Sequence, residues 1–444
     1  MPLLEYETTK VDVYVEHLAE VNNHNTVLAS DDLYNEQGVL LAKKGMAINS
    51  KTAERLIRHK LKQPLEQSVT LAHSLTREQL WADLNQQFKH SADLLALSQH
   101  LTEASLLEAR DWVMRLPLVV QKLTVLRARL PDQYRKALFC AWFGFAIASR
   151  LQRPDVIPRE IFLAGLVHDI GMLHLRPEIL NKERELSPEE WRAIQSHVLI
   201  GKMFLETIKE VPKTVISAVL EHHERCDGSG YPSARFKEEI STASQVIAIA
   251  DTLYALRFSK GHAQHDFLML LPVLQINDFW FQPEVYEASR SLIKLAGIRP
   301  SRLFGNDEDL LAALPKLVKT AKQLNSYAEQ TIKLLELLPK EPSKHRYLRS
   351  LQAITQALDA LVSRSGILTD GIQRWIAHVY QNKLDSSYAE MEEIILMYDE
   401  LLWRFREQKR VLHIVEQEAP EPLKTQLSAL YAQMEPQATQ AKSA

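Results

Sequence analysis

The stretch from Ile161 to Gly171 constrains this chain most: an apolar run, Ile-Phe-Leu-Ala-Gly-Leu-Val, leads straight into His168, Asp169, Ile170 and Gly171. A helix made of those residues is apolar on every side and belongs in an interior. Its last turn therefore carries an imidazole and a carboxylate into a poorly solvated place, where an uncompensated carboxylate is costly. A divalent metal ion provides the compensation. A neutral imidazole gives one nitrogen to such an ion, and the adjacent carboxylate has two oxygens and can bridge two ions. Taken alone, a His-Asp pair is a weak signal, and a cap or a surface position is the favoured reading.

Three further elements change that balance. Ser187-Pro188-Glu189-Glu190 is a capping box with proline at the first helical position, and it predicts a helix that holds His197 about three turns from its start. His222 and His223 close the next helix, and Asp251 lies near the end of the helix begun by STASQVIAIAD. Adjacent helical residues diverge by about 100°, so His222 and His223 face one point only if the helix ends there. Asp227, Gly228, Ser229 and Gly230 mark such an end. Nitrogen and oxygen ligands at helix positions aimed at one core are hard to explain by packing.

The run HHERCDGSGYP, from His222 to Pro232, resembles the signature of the HD-GYP family, with Gly230-Tyr231-Pro232 as the eponymous tripeptide. The His168–Gly171 motif, the His197 helix and the segment Phe281–Ala288 follow in the family's order, across residues 130–298. The resemblance implies an all-helical metallophosphohydrolase domain that hydrolyses the bacterial second messenger cyclic di-GMP to pGpG or GMP. It implies a divalent transition metal, iron or manganese, one or two ions, held by His168, Asp169, His197, His222, His223 and Asp251. Asp169, His222 and His223 take the catalytic positions, and Asp227, Gly228, Ser229, Gly230, Tyr231 and Pro232 match the loop bordering the ligand cleft. The chemistry implied is two-metal phosphodiester hydrolysis, with ions about 3.5–4 Å apart holding a hydroxide for in-line attack.

The match has gaps. Where the family's fold supplies a further histidine, the register places Lys136, an ammonium with no lone pair to give a metal. The lysine that usually follows HDIG is Met172, the glycine five residues beyond the tripeptide is Lys237, and the family's Arg-Pro-Tyr corresponds to Lys260-Gly261-His262. Two substitutes are conceivable: Asp132, one turn before Lys136, as a ligand, or Lys136 itself as a contact for a substrate phosphate. The departures keep two alternatives open: a degenerate receptor or scaffold that binds cyclic di-GMP or a protein without turnover, and a phosphohydrolase for another nucleotide.

Elsewhere the chain reads as mostly α. Residues 1–75 form a small α/β module, with a hairpin around Asn35–Gly38 ahead of an amphipathic helix, and 76–129 a helical connector. Residues 305–420 form an independent helical module, bundle or coiled coil, before a polar tail at 421–444. Its stripes, Tyr347 to Trp375 and Met391 to Phe405, fit an intramolecular bundle or a seam for a protein partner or self-association. Formal net charge is −3, from 53 basic and 56 acidic residues, which disfavours a nucleic-acid polymer as partner. Two cysteines, no signal-like start and no apolar run of about 18–20 residues predict a reduced, cytoplasmic protein with no membrane span.

Overall fold

The structure, a computed structural model, describes residues 13–88, 91–99, 101–180, 187–259, 266–296, 302–340, 343 and 345–434. Lys260-Gly261-His262 lies outside the described residues. The chain divides into two compact units, Met1–His222 with Ser241–Tyr254, and His223–Ile240 with Ala255–Ala444.

The first unit opens with α1 (Val13–Val21), then β1 (Val27–Ala29), β2 (Leu33–Tyr34), β3 (Leu40–Ala42), α2 (Ser50–Ile57) and β4 (Val69–Leu71). β1 pairs antiparallel with β4, Val27 opposite Leu71, and β2 with β3 across the turn at Asn35–Gly38. Asn49 caps α2 by accepting from the Thr52 amide. Helices follow without further strands: α3 (Arg77–Phe88), α4 (Ala92–Ser98), α5 (Glu103–Val113), α6 (Pro117–Arg129), α7 (Pro131–Leu151), α8 (Pro158–Val167), α9 (Pro177–Leu180), α10 (Pro188–Gln195), α11 (His197–Glu206), α12 (Lys213–Glu221) and α13 (Thr242–Tyr254). Proline starts α6, α7, α8 and α10, where its fixed φ suits the first turn and its missing N–H costs nothing. α7 is the central helix: it packs on α8 and α13 and buries Phe139, Trp142 and Phe143. One short turn, Ile170–His174, follows α8 and carries the chain under α11.

A sealed polar cluster joins the small N-terminal module to that turn. Lys122 of α6 is 0% exposed, with its Nζ 2.8 Å from Glu66 Oε1, 2.9 Å from His174 Nε2 and 3.2 Å above the Tyr14 ring. The carboxylate, the lone pair and the π face together replace the water that this ammonium lost on burial.

The second unit contains the residues from His223 to Ile240 and α14 (Leu271–Ile276), α15 (Pro283–Lys294), α16 (Asp307–Leu337), α17 (Arg346–Ser365), α18 (Asp370–Asn382), α19 (Tyr388–Glu418) and α20 (Leu423–Gln433). The two apolar stripes are packed within the chain, in one core with Ile276, Leu310, Leu334 and Leu412. The helices from α16 onward meet earlier residues of this unit through polar and aromatic contacts. Asn277 Nδ2 donates to Glu400 Oε1 at 3.2 Å, the Arg349 guanidinium lies 4.7 Å from the Phe236 ring, and Arg404 lies 4.1 Å from the Trp280 ring. Polar residues between the stripes make these contacts, and an apolar periodicity is blind to them. Among the described residues, no helix is long and apolar enough to cross a membrane.

Candidate metal centre

Four segments of the first unit bring side chains to Asp169. His168 caps the C-terminus of α8, Asp169 opens the turn beneath it, His197 is the first residue of α11, and His222 caps α12. The helix expected to run unbroken through His197 is interrupted at Ser196, whose hydroxyl donates to the Ala193 carbonyl at 2.6 Å. Gly171 explains why the turn fits. A Cβ there would lie 2.1 Å from the His197 carbonyl oxygen, so any other residue would push the turn off α11.

The three imidazoles share one arrangement. His168 Nδ1 is 2.8 Å from the Gly165 carbonyl, His197 Nδ1 2.6 Å from Ile194 O, and His222 Nδ1 2.8 Å from Val219 O, each three residues back along the chain. A carbonyl only accepts, so each Nδ1 carries the proton and each neutral ring keeps its lone pair on Nε2. Those Nε2 atoms converge on Asp169. His197 and His222 lie 3.2 and 3.8 Å from Oδ1, and His168 lies 3.2 Å from Oδ2. Three lone pairs facing a carboxylate repel unless a cation sits among them. A proton is a poor choice at His222, because burial pushes its pKa down to about 4. Asp169 Oδ1 and His168 Nε2 are buried with no hydrogen-bond partner among the described residues. These donors fit a divalent metal: imidazole nitrogens locked by their own helices around a carboxylate, with ligand atoms of Asp169, His197 and His222 all within 4.8 Å of one another.

The other side of Asp169 differs. Lys136 of α7 places its Nζ 2.8 Å from Asp169 Oδ2 and 2.5 Å from Asp251 Oδ1, with His168 Nε2 3.9 Å from the latter. Burial alone would raise the Asp169 carboxyl, but its charged surroundings, the Lys136 ammonium among them, outweigh it and hold the acid well below the usual carboxylate range. For Lys136, burial works against the charged form and the two aspartates overcome it, so the ammonium holds its proton more tightly than a free lysine. Cys140, one turn further along α7, has its sulfur within 4.8 Å of ligand atoms of His168 and Asp251. Asp132 is not at the site: its side chain is 74% exposed and paired with Arg135. Met172 is buried in the turn after Asp169.

His223 begins the second unit, its ring stacked on Tyr231 with centroids 4.6 Å apart. The loop that follows is closely built. Gly230 has no room for a side chain, since a Cβ would lie 2.4 Å from the His223 carbonyl oxygen and the Arg225 amide. Asp227 Oδ1 accepts from the Ser229 amide at 2.9 Å and the Ser229 hydroxyl at 2.6 Å. Burial raises the Asp227 carboxyl despite those two donors. Lys237 lies past the loop, and its amide donates to the Cys226 carbonyl at 3.2 Å.

Two buried carboxylates escaped the sequence reading. Glu221 accepts from the Ser244 hydroxyl at 2.7 Å and the Ser241 amide at 3.2 Å, tying α12, which ends at His222, to α13, which holds Asp251. Glu224, 0% exposed, accepts the amides of Ser233 and Arg235 at 2.6 and 2.9 Å, closing the loop at its base. The available signal was an acid on each side of the His222-His223 pair.

Comparison with known proteins agrees with this geometry. Residues 119–266 match the HD domain family. A cyclic di-GMP phosphodiesterase of Pseudomonas aeruginosa is 31% identical over 185 residues, 40% of this chain and 43% of that protein. A cyclic di-GMP phosphodiesterase of Thermotoga maritima is 26% identical over 227 residues, 50% of this chain and 61% of that protein. A 3'3'-cGAMP-specific phosphodiesterase of Vibrio cholerae is 28% identical over 196 residues, 44% of each chain. The chain thus spans about half the length of the curated relatives it matches. It contains an HD domain with a His/Asp group able to hold a metal. Its HHERCDGSGYP segment resembles the HD-GYP signature.

Proposed function

We propose that this chain is a metal-dependent phosphodiesterase that hydrolyses cyclic di-GMP to pGpG or GMP in the cytoplasm of a bacterium. The observation that carries the reading is the set of imidazoles at His168, His197 and His222. Each has its Nδ1 proton committed to its own helix and its Nε2 lone pair directed at Asp169. Asp169, His197 and His222 would hold the ion, with iron or manganese suited to this nitrogen and oxygen set. When bound, such an ion supplies an activated water and neutralises charge developing on the phosphate. The protein's part is orientation. Helix carbonyls fix the three rings, Glu221 ties α12 to α13, and the Asp227–Pro232 loop is the proposed contact for the nucleotide. His223 remains a proposed ligand.

The test is turnover of cyclic di-GMP, 3'3'-cGAMP and a deoxynucleoside triphosphate by protein loaded with manganese or ferrous iron. Cyclic di-GMP should be cleaved, and H222A and D169N should abolish cleavage. A metal-loaded protein that cleaves neither cyclic dinucleotide overturns the proposal. The second reading, a receptor without turnover, rests on buried Met172 where the family carries a phosphate-contacting lysine. Calorimetric binding of cyclic di-GMP without hydrolysis would establish it.

A further inference from the structure

The two oxygens of Asp169 face different partners: Oδ1 faces His197 and His222, while Oδ2 faces His168 and the Lys136 ammonium. That ammonium also lies 2.5 Å from Asp251 Oδ1, so one cation bridges two carboxylates that are 1% and 7% exposed. Bridging two buried acids is the electrostatic task that a second metal ion performs in a binuclear site. We propose that the Lys136 side chain is a built-in substitute for one metal ion, so that this centre takes a single divalent ion on the Asp169 Oδ1, His197 and His222 side.

This inference rests on the metal-centre reading above and asks how many ions that centre holds. An ion bound through the same two oxygens would face the ammonium at contact distance, and like charges at a partly buried place exclude one another. The lysine is already anchored there by its helix. Its neighbours on α7, Leu138, Phe139 and Cys140, are fully buried, so the stem is held while the side chain remains 20% exposed. The ammonium cannot accept an electron pair and brings no bound water. It therefore supplies one positive charge where the ion would supply two, and none of its Lewis acidity. The carboxylates of Asp169 and Asp251 are bridged by one cation whether or not metal is bound, and that half of the centre is assembled on folding.

Metal content of the full chain, purified from iron- and manganese-supplemented medium, tests this without any assay of activity. Wild type should carry one transition-metal ion per chain, and K136H should carry two. Chelation should lower the melting temperature of K136H by more than that of wild type, because only in the variant does the Asp169–Asp251 pair depend on metal. Two ions in wild type, or equal chelator responses in the two proteins, overturn the proposal. Should K136H fail to fold, the wild-type count still decides. Failure of the proposed function is separately visible: one ion with no hydrolysis of cyclic dinucleotides leaves this inference standing, and two ions with hydrolysis removes it alone.

Discussion

Two lysines of the first unit, Lys122 buried and Lys136 half-buried, face carboxylates and are used differently. Lys122 is sealed, with one carboxylate, one imidazole nitrogen and an aromatic face as its surroundings. Lys136 reaches two carboxylates and keeps a fifth of its side chain in contact with solvent. In the Lys122 cluster, charge is balanced locally and nothing is left for a ligand to do. Around Asp169, the ammonium meets Oδ2, while the Nε2 atoms of His197 and His222 face Oδ1. A lysine is thus structural where its partners are satisfied by it. It belongs to the proposed metal centre where its partners are shared with metal-ligating side chains.

The largest effect should come from breaking the sealed cluster. K122M deprives the largely buried Glu66 carboxylate of its ammonium partner, and removing one partner of a buried pair typically costs about 3–5 kcal/mol. Urea unfolding should show this loss with or without added metal, and rescue by metal would erase the distinction between the two lysines. Acid is the second way to break the comparison. Burial lowers His222 from 6.5 to about 4, so between those values the unfolded chain binds a proton that the folded chain does not. Stability from this group is complete above the unfolded pKa and is lost as pH falls from 6.5 to 4. The metal-free protein should lose about 3 kcal/mol over that interval, from about 1.36 kcal/mol per pKa unit. An unfolding midpoint that is flat across it would show that His222 is not held neutral.

K136M should cost less than the Lys122 change, about 2 kcal/mol in chelator, because solvent reaches this side chain and eases its loss. Here a divalent ion should restore the stability, which would separate the two lysines in one titration. Smallest is S187A, which removes the hydroxyl that caps α10 at 3.3 Å from the Glu190 amide. It should lower stability by about 1 kcal/mol and leave metal content unchanged.

The helix ends that carry His168, His222 and Asp251 were legible because apolar runs stop at polar residues, and the Ser187 cap was legible from its residues alone. The break at Ser196 was not. The capping box and the apolar pattern run through it, and only the packing of Gly171 under the His197 carbonyl requires the interruption. Register brought Lys136 toward the cluster, but whether its ammonium meets a phosphate or two acids depends on the rotation of α7 against α13. No local pattern encodes that rotation. The contacts of the C-terminal helices with Phe236, Asn277 and Trp280 were not legible either, because Arg349, Glu400 and Arg404, which make them, lie between the apolar stripes.

Glu224 has a consequence for ligand capture. One carboxylate grips the amides of Ser233 and Arg235, and the ring so closed contains Asp227 through Pro232. The conformational entropy of that loop is lost when the chain folds, before the proposed nucleotide would arrive, and a preorganised loop gives up less freedom on association. E224Q would weaken the grip without removing the side chain's bulk. The loosened ring should then show itself as faster amide hydrogen exchange and earlier protease cleavage between residues 224 and 235.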